Sequence, residues 1–281
     1  MSPGIVALVL GAALLHATWN ALVKTGGDRL AVLALTIGLP ALAVVPALFL
    51  LPAPARESWP YLAGSGLTHW LYFACLLGAY RHGDLSQVYP IARGTAPLLV
   101  AFGAWLAVGE ALGGLELAGI AILSGGLLSL AWRGRGPTPA GGTAALVFAF
   151  LTSLSIGAYS LIDGIGVRLS GAPLSYILWM FLVVGTPFLG FAFWARRGRF
   201  RASFGPGLKA GAGAAAISSL AYGTVIWVMS LAPMAHVVAL RETSVIMAAA
   251  IGALALREPF GRRRIAAAAV IAFGAALLQL G

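Results

Sequence analysis

Ten apolar runs, each long enough to cross a membrane as a helix, dominate this chain of 281 residues. A hydrocarbon core of ~30 Å needs about 20 helical residues. The runs are continuously apolar and lack the alternation of a transmembrane strand. The composition, 60% hydrophobic and 9% charged, excludes a water-soluble globular domain. We therefore predict an all-α integral membrane protein whose ten transmembrane helices cover Pro3–Val23, Leu30–Leu51, Tyr61–Tyr80, Gln87–Val108, Leu115–Trp132, Gly141–Ile162, Pro173–Ala195, Leu208–Ser230, Met234–Leu256 and Ile265–Leu280.

The two halves of the chain carry copies of one pattern. Aligned without gaps at a spacing of 148 residues (241 − 93), Arg93 falls on Arg241. Four further pairs fall in register, namely Thr95 with Thr243, Glu110 with Glu258, Gly113 with Gly261 and Gly126 with Gly274. Internal repeats of this kind are common in transporter folds. The pattern indicates a duplicated membrane protein with a polar interior.

A short polar segment at residues 133–140 divides the spans into five and five. We predict a first repeat over residues 1–132, a linker over 133–140 and a second repeat over 141–281. An odd number of spans per copy places the second copy upside down relative to the first. Such inverted repeats commonly hold a substrate site at their interface, near the middle of the membrane.

The first and sixth spans each carry three polar residues on one helical face. His16, Asn20 and Lys24 recur every four residues, and Ser155, Tyr159 and Asp163 repeat the pattern 139 residues later (155 − 16). Lys24 and Asp163 fall at predicted helix ends, where charged side chains can reach the headgroups, which is the simpler interpretation for these two. His16, Asn20 and the neighbouring Trp19 lie deeper and are candidates for a substrate cavity.

The fourth and ninth spans place charges within the membrane. The segment from Tyr89 to Pro97 contains Arg93 with two prolines and a glycine, which break the hydrogen-bond ladder of a helix. The ninth span carries His236, Arg241 and Glu242. Buried charges should be paired or line water, and Arg241 and Glu242 should find partners on other helices because adjacent residues point apart. The arginines could bind a solute or could cap carbonyl groups of the broken helices. The sequence leaves both roles open.

Aromatic side chains with polar tips suit solutes that are partly apolar. Such side chains occur on the third span, as His69, Tyr72 and Tyr80, and on the eighth, as Tyr222. The full set of candidates for lining a substrate cavity is His16, Trp19, Asn20, His69, Tyr72, Tyr80, Tyr89, Arg93, Tyr159, Tyr222, His236, Arg241 and Glu242. If transport is coupled to protons, the candidate carriers are His16, Asp163, His236 and Glu242. We find no catalytic, metal-binding or nucleotide-binding motif, and expect no metal, cofactor or ATP.

Several short segments resemble the EamA-type transporters of the drug/metabolite transporter superfamily. They are His16 to Lys24, Val88 to Gly94, Leu240 to Ser244 and Leu256 to Glu258. The resemblance implies a ten-helix carrier with a central cavity and, in bacteria, export of amino acids and other metabolites across the inner membrane. It leaves the substrate and the coupling ion open.

Charge and family resemblance disagree on orientation. Basic residues concentrate in odd-numbered connections, such as Arg196 to Arg201 and Arg262 to Arg264. By the positive-inside rule these connections are cytoplasmic and both termini are external. The resemblance implies termini inside the cell. We follow the charges.

We predict a secondary exporter of a small metabolite such as an amino acid, working by alternating access between the repeats. The expected partners are that metabolite and the lipid bilayer, without nucleic acid. The alternatives are an integral membrane enzyme, which we do not favour, and a non-transporting membrane assembly component.

The oligomeric state stays open. A stripe of small residues, Ala268, Ala272 and Ala276, favours packing within the chain over a dimer contact.

Overall fold

A computed structural model of the chain describes residues 1–25, 29–82, 85–131, 142–195, 197, 204–205, 207–255 and 261–281. These residues are 88% helical, without strands. They contain ten helical segments that are long and apolar enough to cross a membrane. The predicted linker at 133–140 lies outside the described residues.

The first five spans contain seven α-helices, because two of these spans are interrupted. The helices are α1 (Pro3–Thr25), α2 (Arg29–Ala43), α3 (Val45–Leu48), α4 (Trp59–His82), α5 (Leu85–Gly94), α6 (Ala96–Val108) and α7 (Gly114–Ala131). The last five spans contain α8 (Gly142–Leu169), α9 (Pro173–Ala195), α10 (Leu208–Met229), α11 (Met234–Arg241), α12 (Ser244–Ala255) and α13 (Arg262–Leu280).

The sixth span is longer than predicted. Helix α8 continues for seven residues beyond Ile162, the predicted end, and stops at Leu169. Asp163 is therefore inside the helix and fully buried, so the interpretation that it reaches the headgroups is wrong. An acidic residue followed by glycine resembles a helix end in sequence, but here Gly164 lies against the side chain of Met234 and serves close packing.

The fourth and ninth spans are both broken beside their arginines. Helix α5 ends at Gly94 and α6 begins at Ala96, whereas α11 ends at Arg241 and α12 begins at Ser244. Each break carries a threonine whose hydroxyl group donates to a backbone carbonyl oxygen of the preceding turn. Thr95 donates to Ile91 at 3.0 Å and Thr243 to Leu240 at 2.7 Å. The interruptions occur at matching positions of the two copies.

Helix packing follows the same pattern in both halves. The third span (α4) packs along the sixth (α8), and correspondingly the eighth (α10) packs along the first (α1). The second span packs on the seventh (α9), and the fifth (α7) on the tenth (α13). A two-fold axis relating the two five-span units would convert the contact of the third span with the sixth into that of the eighth with the first. It would leave the second–seventh and fifth–tenth contacts unchanged.

The fifth and tenth spans approach each other through glycine. A Cβ atom added at Gly119 would lie 2.8 Å from the carbonyl oxygen of Gly274, and one at Gly274 would lie 2.7 Å from that of Gly119. By contrast, Ala272 and Ala276 are exposed, so the interpretation that the alanine stripe packs within the chain is wrong for these two residues. The buried face of α13 instead contains Ile271 and Leu278.

Candidate functional site

Arg93, Arg241 and Glu242 form a buried group at the two helix breaks, which we call the polar centre. The carboxylate of Glu242 lies 2.6 Å from Nε of Arg93 and 3.5 Å from Nη2 of Arg241. Arg93 comes from the first half of the chain and the other two residues from the second. All three are almost fully buried. One carboxylate thus joins the two halves inside the membrane.

The contact between Arg241 and Glu242 contradicts the expectation that these neighbours point apart. Helix α11 ends at Arg241, and Glu242 lies in the turn before α12. Glu242 keeps near-helical backbone angles, φ −68° and ψ −15°, so the contact reflects the reach of two long side chains. The geometry of this second contact is marginal for a hydrogen bond, and the strong partner of Glu242 is Arg93 on another helix.

The polar centre has spare hydrogen-bond donors and an excess of positive charge. Among the described residues, Nη2 of Arg93 and Nε of Arg241 lack a hydrogen-bond partner. Two guanidinium groups face one carboxylate, so the three side chains carry a net charge of +1 when Glu242 is ionised. Unsatisfied buried charge is costly. An anionic group bound here would accept hydrogen bonds from the unpaired N–H groups and neutralise the excess positive charge.

The second half of the first span forms one wall beside the polar centre. His16 is close enough to Arg93 and Arg241 to interact with both electrostatically. Trp19 donates its ring N–H to Nδ1 of His16 at 3.3 Å, and the amide of Asn20 donates to the carbonyl oxygen of His16 at 2.7 Å. All three side chains are half-buried. The structure thus places these three cavity candidates together.

Aromatic rings form a second wall. The ring of Tyr89 lies 5.9 Å from the guanidinium carbon of Arg93, and Tyr72 and Tyr159 are within electrostatic range of the same arginine. His69 stacks on Tyr159 with a centroid distance of 4.2 Å. Tyr222 meets Tyr159 edge-on at 6.0 Å. These candidates surround one region, whereas the side chain of Tyr80 lies outside the described part of the structure.

Asp163 forms a separate hydroxyl-rich group behind this wall. Its carboxylate accepts hydrogen bonds from the phenol of Tyr222 at 2.7 Å and from that of Tyr176 at 3.3 Å. The hydroxyl of Ser65, on the third span, is a further hydrogen-bond partner. The sequence did not single out Tyr176 or Ser65, because nothing in their local pattern distinguishes them from packing residues.

His236 lies away from the candidates of the first span, in a group that we call the terminal-face cluster. This cluster consists of Glu110, Glu116, Arg168 and His236, and lies at the membrane face that carries both chain termini. His236 Nε2 is 2.9 Å from Glu116, and Arg168 is 2.6 Å from Glu110.

Backbone groups complete the terminal-face cluster. Glu110 also accepts from the backbone N–H of Met234 at 2.9 Å. Arg168 donates to the carbonyl oxygens of Met229 and Ala232, both at 2.8 Å. Glu110 and Arg168 were not predicted as site residues. In the sequence, only the alignment of Glu110 with Glu258 between the two halves indicated that Glu110 could have a special role.

Two grooves of about 360 and 340 Å³ lie outside the polar centre. The first borders Phe102 and Trp105, and the second borders Ala272 and Thr243. Neither is lined by Arg93 or Arg241. The expected substrate-sized hollow between the halves therefore does not coincide with either groove.

Comparisons with known proteins agree with the fold. The model of the EamA-like transporter family matches residues 143–280. A solved structure titled "Crystal structure of protein" superposes with a TM-score of 0.70 at 17% sequence identity, covering 100% of this chain and 98% of that chain. A search of curated proteins finds no match.

Proposed function

Because the chain belongs to the EamA-like transporter family, whose model matches its second half, we propose that it is a secondary exporter of a small amphipathic metabolite such as an amino acid. The family makes the chain a multi-pass membrane transporter of the drug/metabolite type. We further propose two inverted repeats, over residues 1–132 and 141–281, that alternate in opening the site to either face of the cell inner membrane.

The polar centre is the observation that carries this proposal. Its net positive charge and free guanidinium N–H groups favour a solute with a carboxylate, which pairs with arginine through charge-assisted hydrogen bonds. The adjacent rings of Trp19, Tyr72 and Tyr89 favour an apolar portion on the same molecule. A carboxylate joined to a partly apolar body describes many amino acids.

The distribution of exposure supports alternating access. The terminal-face cluster joins the two halves and closes one side of the site. The half-buried residues His16, Trp19 and Tyr89 lie on the other side, between the polar centre and the opposite face. We therefore assign this conformation to a state closed at the terminal face.

Charge counting predicts which face is which. Of the 18 Lys and Arg residues, two belong to the polar centre and 14 lie in or next to odd-numbered connections. The remaining two, Arg56 and Arg168, are at the terminal face. By the positive-inside rule the termini should be outside the cytoplasm. A reporter enzyme fused after Gly281 that is active only outside the cytoplasm should be active, and activity of a cytoplasm-only reporter would reverse the assignment.

Transport can be tested directly in proteoliposomes. We expect flux of at least one carboxylate-bearing amphipathic solute, and expect Arg93→Lys to reduce it at least tenfold. The lysine keeps the charge but loses the forked donor geometry, and a charge-assisted hydrogen bond is worth about 1.5–3 kcal/mol. The matched control is Arg56→Lys, at an exposed residue, which should transport normally.

The same variants separate the alternatives. A non-transporting assembly component would show no flux of any solute in the wild-type protein while remaining folded. An integral membrane enzyme would convert the solute instead of moving it. Loss of folded protein in Arg93→Lys would assign Arg93 to the scaffold, whereas loss of flux in a folded variant would assign it to the solute site.

A further inference from the structure

Asp163 differs from the other buried ionisable groups in having hydrogen-bond partners that are all hydroxyl groups. It is fully buried within α8. The groups facing it are Ser65 and His69 on α4, Tyr176 on α9 and Tyr222 on α10. No Lys or Arg forms an ion pair with it in the described part of the chain. This carboxylate therefore lacks the fixed counter-charge that buried acids normally have.

Hydroxyl partners can serve both protonation states of a carboxyl group. A serine or tyrosine hydroxyl donates to a carboxylate, and after rotation its oxygen can accept from the protonated acid. Glu242 has no such freedom, because guanidinium groups can only donate. Asp163 can therefore gain or lose a proton without leaving a buried polar atom unsatisfied, which would be costly.

The other candidate proton carriers are less suited. Glu242 lies between two guanidinium groups, and His16 lies beside the same two, which repel a further positive charge. His236 is paired with Glu116 in the terminal-face cluster. Each of these groups already neutralises or opposes a neighbouring charge, so a change in its protonation would disturb an existing contact.

Aromatic rings connect Asp163 to the polar centre. Tyr222, which donates to Asp163, is also within electrostatic range of Arg241. His69 interacts electrostatically with both Asp163 and Arg241, and its ring lies 5.8 Å from that of Tyr222. At such distances in a medium of low polarity, neutralising one carboxylate changes the potential at the arginines. Protonation of Asp163 can thus influence solute binding at the polar centre.

We propose that Asp163 is the proton-binding site that couples movement of the solute to movement of a proton. The carboxylate accepts a proton from one face of the membrane, which makes the potential at the polar centre more positive and favours an anionic solute there. The proton leaves to the other face, restoring the anion, and no other bond is formed or broken. This inference rests on the proposed transport function, but the protonation itself can be tested without a solute.

Infrared difference spectroscopy of the purified protein tests protonation. When the pH is lowered, the wild-type protein should gain the infrared carbonyl band of a buried carboxylic acid. Asp163→Asn should abolish this change. Asp163→Glu should retain a band at a shifted frequency. The matched control Ser160→Ala, which alters a buried hydroxyl on the same helix, should leave the band unchanged. A band that persists in Asp163→Asn, or a wild-type protein without one, overturns the proposal.

Transport provides the second arm. In proteoliposomes with an imposed proton gradient, Asp163→Asn should still exchange solute across the membrane but should lose accumulation against a gradient. If Asp163→Asn accumulates solute normally, the site does not couple protons. If it fails to bind a solute only when that solute carries an ammonium group, Asp163 is a substrate contact and the proposal is wrong. Should Asp163→Asn fail to fold, Tyr222→Phe, which removes only the 2.7 Å donor, should change the midpoint of the infrared transition.

Discussion

Replacing Glu242 with glutamine should strongly reduce the amount of folded protein in the membrane. The variant leaves Arg93 and Arg241 without a counter-charge, although both are buried between the two halves. Breaking a buried ion pair by removing one partner costs about 3–5 kcal/mol. We expect a much lower midpoint of thermal unfolding, measured by the loss of monodisperse protein after heating in detergent.

The double variant Glu242→Gln with Arg93→Gln should recover much of this stability, because it removes one unpaired charge together with its partner. The wild type, the two single variants Glu242→Gln and Arg93→Gln, and the double variant form a double-mutant cycle. Its coupling energy measures the interaction between the two side chains. Glu57→Gln, at an exposed residue of the same charge type, is the control and should unfold like the wild-type protein. Equal stability of Glu242→Gln and the wild type would show that Glu242 does not join the two halves.

Replacing Gly119 with valine should separate the fifth and tenth spans. A Cβ atom at this position would lie 2.6 Å from the backbone nitrogen of Leu278 and 2.8 Å from the carbonyl oxygen of Gly274. Backbone atoms cannot rotate away as a side chain can, so the helices must move apart. Inserting atoms into a packed interior typically costs about 1–3 kcal/mol and occasionally more.

Gly125→Val provides the matched control, because it introduces the same side chain on the same helix. A Cβ atom at Gly125 would have no neighbour within 4 Å, and surface substitutions usually change stability by about 0.5 kcal/mol or less. Thermal unfolding in detergent should therefore distinguish the two variants. Similar midpoints for Gly119→Val and Gly125→Val would contradict the close contact between these spans.

Much of the fold could be predicted from the sequence, because lipid imposes simple rules on a chain. Each span needs a certain length of apolar residues, and all ten predicted spans correspond to helical segments. The broken fourth span was also predictable, since Pro90 and Pro97 disrupt helical hydrogen bonding. The repeat placed Arg93 and Arg241 at equivalent positions, and the structure brings both to the same carboxylate.

The contacts between distant spans could not be predicted in the same way. Asp163 looked like a helix end because residues beyond it include Gly164 and Gly166, which in fact permit close packing. The pairing of Arg168 with Glu110 depends on the arrangement of two helices that are far apart in sequence. Hydropathy locates such residues near a membrane face, but it does not specify which of them meet.

Under the proposed alternating access, the terminal-face cluster would give the protein a thermodynamic preference for the conformation that is closed at that face. Exposing the site at that face requires Arg168 to give up a carboxylate and two carbonyl oxygens at once, and His236 to give up Glu116. Every ~1.4 kcal/mol left uncompensated lowers the population of the alternative conformer tenfold. The turnover rate of the proposed transport cycle would therefore depend on how completely new contacts, or the bound solute itself, replace these bonds.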